Sequence, residues 1–162
     1  MPLLESGVLA ADPWRPAAED EPIGAGDVIV PLARLDEGLA RSDPGRLGVL
    51  LPPEAEPSAL RAALPGLSLI AVTFPIFRDG RAFTQARTLR EHLGFTGEIR
   101  ATGKPLPDQY EFLRRCGVTT VEVPEGTDPA PWAREHARFD VAYQPSILNE
   151  TREGFALRRI PG

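Results

Sequence analysis

The sequence predicts an α/β fold in which four successive βα units build a parallel sheet. Three observations carry that expectation. Strand-like runs at 47–51, 67–74, 98–102 and 118–123 recur at a spacing that leaves room for one helix after each. The longest, Leu67 to Phe74, is broken only by Ser68 and Thr73, and such unalternated runs suit strands covered on both faces. Between the runs lie helix-period segments bounded by Pro and Gly. Sequential strand order would give half of a β/α barrel; one reversal of order would give a small doubly wound sheet.

Residues 1–46 are rich in Pro, Gly and Asp, with strand-like runs at Gly7 to Ala10 and Val28 to Leu32. They are expected to form a hairpin or arm packed on the main domain, with Trp14 as a lid over the core edge. The α/β domain spans 47–145. After the first strand, a helix is expected from Glu54 to Leu64, ended by Pro65-Gly66. The second helix runs from Ala82 to Leu93 and stops at Gly94. The third spans Pro107 to Cys116 and stops at Gly117. A fourth, capped by Asp128 with Pro129 at its first position, continues past Trp132, Phe139 and Tyr143, which share one core-facing stripe. Residues 146–162 read as a loose tail in which Phe155 to Leu157 could add a strand.

The 162 residues fit one domain, with 42% apolar and 25% charged residues. No apolar run approaches a membrane span, and the N-terminus has no basic region before an apolar stretch, which places the protein in the cytoplasm. The single cysteine, Cys116, excludes an internal disulfide and a CxxC pair, and it reads as a small buried residue unless Arg114 and Arg115 activate it. Net charge is -5, yet residues 78–115 hold eight basic against five acidic side chains, so that segment is +3 and the remainder -8. This balance argues against nucleic-acid binding. It suits a small anion or an acidic partner surface, or simply solvated helix faces.

In a parallel sheet, ligands are usually held at the loops leaving the carboxyl ends of the strands. The loop after the second strand, Arg78-Asp79-Gly80-Arg81, is the richest of these in chemistry. Its arginines, with Arg87 on the following helix and the helix's first amides, form a candidate anion site. Arg90 lies at the edge of the apolar stripe and is either a structural anchor, to Glu98 or Asp108, or an anion clamp. Gln109, in the first turn of the third helix, either braces its loop or orients a substrate, and Gln85 joins the candidate binding set. Asp79 and Asp108 are the candidate proton-transfer groups. No phosphate-binding glycine loop, GxSxG elbow or cofactor fingerprint occurs, and His92 and His136 lack metal-ligand spacing, so no metal or cofactor is expected.

The block Phe74-Pro75-Ile76-Phe77-Arg78-Asp79-Gly80-Arg81-Ala82-Phe83-Thr84-Gln85-Ala86-Arg87 resembles an uncharacterised bacterial family, domain of unknown function 934. The likeness continues through Leu89-Arg90, Gly94-Phe95, Gly97-Glu98, Arg100-Ala101, Gly103, Asp108-Gln109, Leu113, Arg115-Cys116-Gly117 and the stretch from Trp132 to Gln144. Members of that family are commonly labelled "probable oxidoreductase involved in sulfite reduction". The resemblance implies a place in assimilatory sulfur metabolism and a partner such as sulfite reductase or another sulfate-assimilation protein. It supplies no catalytic residues, and one cysteine cannot ligate an iron-sulfur cluster alone. The expected function is an accessory or regulatory protein of sulfite reduction whose arginine-rich loop binds a small anion or an acidic partner surface. The alternatives are an enzyme acting on an anionic metabolite at the carboxyl rim, and a structural half-barrel whose arginine block forms a homo-oligomer interface.

Overall fold

A computed structural model describes residues 2–76 and 78–137. Eight strands form one sheet: β1 (Leu3–Glu5), β2 (Val8–Ala10), β3 (Arg15–Pro16), β4 (Val28–Pro31), β5 (Leu47–Leu51), β6 (Leu69–Phe74), β7 (Glu98–Gly103) and β8 (Thr120–Glu122). Their order across the sheet is β2-β1-β8-β7-β6-β5-β4-β3. From β3 to β8 each neighbouring pair is parallel, and β1 runs antiparallel to both β2 and β8. Sequential order without reversal makes the fold a curled half-barrel rather than a doubly wound sheet. Its parallel part has six strands, two more than the sequence predicts. The run at 28–31 lies inside the sheet, paired residue for residue with Leu47 to Leu50. The hairpin is instead β1–β2, turned by Ser6 and Gly7 at φ 51° and 78°.

Four α-helices, α1 (Leu35–Leu39), α2 (Arg81–Glu91), α3 (Tyr110–Arg115) and α4 (Ala130–Ala137), are joined by short 3₁₀ turns. They cover one face of the sheet, where Val30, Val49, Leu51, Ile70, Val72, Phe74, Ile99 and Val121 are buried against Leu60, Ala86, Leu89, Leu113 and Trp132. The opposite face carries a smaller cluster, Trp14 on Leu69 and Ala71, with Ile29 at its edge. Thus β6 is buried on both faces, which is why its sequence does not alternate. Trp14, 6% exposed, is the lid that its flanking prolines suggest, over the face away from the helices.

The helix expected from Glu54 to Leu64 is replaced by 3₁₀ turns at Pro57–Leu60 and Leu64–Gly66. Amides of Ala59, Arg61, Ala63 and Gly66 each donate three residues back, to Glu56, Ser58, Leu60 and Ala63. Prolines at 52, 53, 57 and 65 remove donors and leave too few residues between them for α-helical bonding to propagate. By contrast α2 has clean ends. Asp79 accepts from the Arg81 amide at 3.2 Å, and Gly94 at φ 66° lets the Phe95 amide donate to Leu89 O at 2.9 Å. The Ala130 amide donates to Asp128 Oδ1 at 2.9 Å, as the cap expected for α4 requires. Phe139, Tyr143 and the 146–162 tail lie outside the described residues.

Candidate functional site

The carboxyl ends of β4 to β8 converge on one rim, and α2 starts there. Its first turn is fixed by Asp79, whose carboxylate takes Arg81 Nε at 2.9 Å and Nη2 at 2.6 Å. The hydrogen bonds from Arg81 hold the Asp79 carboxyl below its ordinary range. At neutral pH this group is an anion engaged with a cation. Arg78 is exposed beside it. One turn further along α2, Gln85 is buried and its Nε2 donates to Pro52 O at 2.8 Å and Ala55 O at 2.9 Å, which ties the loop after β5 to the helix. On the neighbouring loop, Gln109 Oε1 accepts from the Leu106 amide at 3.1 Å, and Asp108 is exposed.

Arg87 pairs with Glu91 along the exposed side of α2, Nε to Oε2 at 3.0 Å. Arg90 is at the other end of the helix, about 13 Å of rise from Arg81 at 1.5 Å per residue. Its Nε donates to Gly117 O at 3.0 Å, and its Nη1 to Phe95 O at 2.6 Å and Gly97 O at 2.7 Å. These carbonyls belong to the loops entering β7 and β8, so Arg90 anchors backbone at the amino rim and contacts neither Glu98 nor Asp108. Burial pushes its pKa down. Gly117, at φ 98°, packs so closely on the Arg90 side chain that a Cβ there would overlap Arg90 Cγ. The structure therefore brings Arg78, Asp79 and Arg81 together, ties Gln85 and Gln109 into loop bracing on the same rim, and sets Arg90 apart.

Beside the rim lies an aromatic step. Phe74 at the end of β6 meets Phe83 of α2 edge to face, with centroids 4.9 Å apart, and Phe83 meets Phe112 of α3 at 4.7 Å. The inner ring is buried, whereas Phe112 is 54% exposed; Ile76 and Leu106, on the adjoining rim loops, are exposed too. Cys116 is buried below this surface, and burial pushes its thiol pKa up, away from thiolate reactivity.

A second cluster, on the sheet face away from the helices, is absent from the sequence-based set. Arg100 of β7 has 2% of its side chain exposed. It donates to Asp12 through Nη1 at 2.9 Å and Nη2 at 3.1 Å, and to Glu98 Oε1 through Nε at 3.0 Å and Nη2 at 2.9 Å. Thr120 Oγ1 donates to the same Glu98 oxygen at 2.6 Å. A groove of about 380 Å³ opens alongside, bounded by Trp14, Leu50, Ala71, Thr73 and Thr102. The alternation of Glu98, Arg100 and Thr102 with Ile99 and Ala101 is legible in the sequence; the partnership with Asp12, 88 residues away, is not.

Among the described residues no three His, Cys, Asp or Glu side chains gather as a metal-binding group. No helix among them is long and apolar enough to cross a membrane. A family model described as "Bacterial protein of unknown function (DUF934)" matches residues 48–152, and the chain belongs to that family. Neither the curated proteins nor the solved structures contain a match to the chain.

Proposed function

We propose that this member of the family is a half-barrel interaction protein, which works by presenting surfaces to an assembly. The observation that carries this reading is the step formed by Phe83 and the half-exposed Phe112, with the exposed Arg87 one helical turn along α2 from Phe83. Exposed aromatics with arginines have the composition of protein contact surfaces. The pairs Arg81–Asp79 and Arg87–Glu91 sit on side chains more than half exposed on the arginine side. Such pairs are worth little and exchange readily for an acidic partner. The +3 balance of residues 78–115 in a chain of net charge -5 favours a partner of opposite sign.

Commitment of Asp79 to Arg81, and of Gln85 and Gln109 to their loops, supports binding over proton transfer at this rim. The enzyme alternative would need Asp79 released from Arg81 by its substrate. The label carried by the family makes sulfite reductase the partner to try. The test is a binding titration of the full chain against purified sulfite reductase, with Phe112→Ser and Arg81→Glu/Arg87→Glu variants, run beside thermal-shift titrations with sulfite and sulfate. Binding to the reductase that is lost in both variants supports the reading. Stabilisation by sulfite or sulfate that disappears in Arg78→Ala/Arg81→Ala, without reductase binding, replaces it with the small-anion alternative.

A further inference from the structure

The two edges of the sheet are built differently. At one, β3 is two residues long and ends in Pro16, whose missing N–H blunts pairing, and Arg15 adds a charge. At the other, β2 is Val8-Leu9-Ala10, with Val8 66% and Leu9 41% exposed. The run from Ser6 to Ala11 carries no charge in a protein of net charge -5. Among the described residues no charged side chain lies on β2 and no strand pairs with its outer side. The register fixes which backbone groups face outward. The two-residue turn makes Glu5 and Val8 a hydrogen-bonded pair, and Leu3 pairs with Ala10 two steps on. Leu4, between them, faces Leu9 and directs its own amide and carbonyl to β8. Leu9 therefore points its N–H and C=O away from the sheet, on the strand that ends it.

We propose that β2 is a self-pairing edge, at which a second copy of this chain adds its own β2 antiparallel across a two-fold axis at Leu9. This deepens the reading of the chain as an interaction protein by naming one partner, and it uses a surface other than the aromatic step. An antiparallel pair centred on one residue is self-complementary. Leu9 N–H donates to Leu9 C=O of the second copy and the reverse bond forms equally. Val8 then faces Ala10 of the other copy, and Gly7 faces Ala11, so no like charges meet although both molecules are acidic. Two sheets of eight strands become one of sixteen.

The test is sedimentation of the full chain over a concentration series, with hydrogen exchange at the Leu9 amide. A monomer–dimer equilibrium with Leu9 protection that rises with concentration is expected. Leu9→Pro removes the outward N–H while leaving the bonds to β1 in place, so it should weaken the dimer about thirtyfold for two lost hydrogen bonds. Leu9→Lys, which keeps the N–H and sets two cations opposite each other, should weaken it as well, and salt should partly restore it. A monomer at every soluble concentration overturns the proposal, as does a dimer indifferent to both substitutions. Leu9 protection that persists in a monomer overturns it too, because the edge is then filled from within the chain. The outcome is independent of reductase binding, which reports on the rim.

Discussion

Replacing Arg100 with methionine keeps most of the side-chain volume and deletes its charge. Four hydrogen bonds to two carboxylates vanish, and Asp12 and Glu98 face each other with no cation between them. Removing one member of a buried ion pair costs about 3–5 kcal/mol, chiefly through the charges left behind. Here the carboxylates retain some water, with side chains 12% and 22% exposed, so the cost belongs near the lower end, about 3 kcal/mol. For a chain of this size that lowers Tm by about 6–12 °C. Thermal and urea unfolding measure it. Trp14, which follows Asp12 by two residues and donates its amide to that carboxylate at 3.0 Å, reports the local consequence. Its fluorescence should move to the red as the N-terminal segment lifts from Leu69 and Ala71. The triple variant Asp12→Asn/Glu98→Gln/Arg100→Met leaves no orphan charge and should recover part of the loss. A Tm drop under about 2 °C for Arg100→Met alone would mean that the carboxylates rehydrate freely, and the argument for a buried clamp would fail.

Arg90→Lys retains a cation but cannot reach Gly117, Phe95 and Gly97 together, and should cost about 2–3 kcal/mol in urea unfolding by leaving carbonyls unpaired. Asp79 should titrate below an ordinary aspartate in carboxyl NMR. Because its folded pKa is depressed, the contribution to stability is present above the unfolded value and is lost as pH falls through the folded one. Arg81→Ala should return the titration upward. Asp128→Ala removes the bond to the Ala130 amide and should cost about 1 kcal/mol in thermal unfolding. Phe112→Ser should change stability by under about 1 kcal/mol, since the ring is already half in water, whereas loss of partner binding should be large.

The parallel sheet was legible because β5 and β6 are apolar without alternation and the helices before β7 and β8 end on glycines at positive φ, Gly94 and Gly117. Strand β4 was visible as a run of β-branched residues, but its place in the sheet was not. Val28 to Pro31 alternates in burial as a half-covered strand does, and only its pairing with Leu47 to Leu50 makes it part of the sheet. The loss of the 54–64 helix was latent in its prolines, whose effect accumulates over a segment that favourable end residues make look helical. Arg90 was recognised as a side chain needing partners. Its acceptors proved to be backbone carbonyls, which carry no residue identity that a sequence could display. Asp12 and Arg100 form the converse case, since each is visible but nothing local connects them.

The placement of charge separates what holds this fold from what it presents. Arg90 and Arg100 are sheltered and bound at fixed geometry; one locks the loops entering β7 and β8, and the other fastens the N-terminal segment to the bare face of the sheet. Arg81 and Arg87 are exposed and form their ion pairs, among the described residues, with their nearest acids along the same turn or helix. Charge removal at the first pair should therefore appear in unfolding experiments and at the second pair in binding experiments. If Arg81→Ala/Arg87→Ala proved as destabilising as Arg100→Met, the arginine block would be a structural network, and the rim would lose its claim as the working surface.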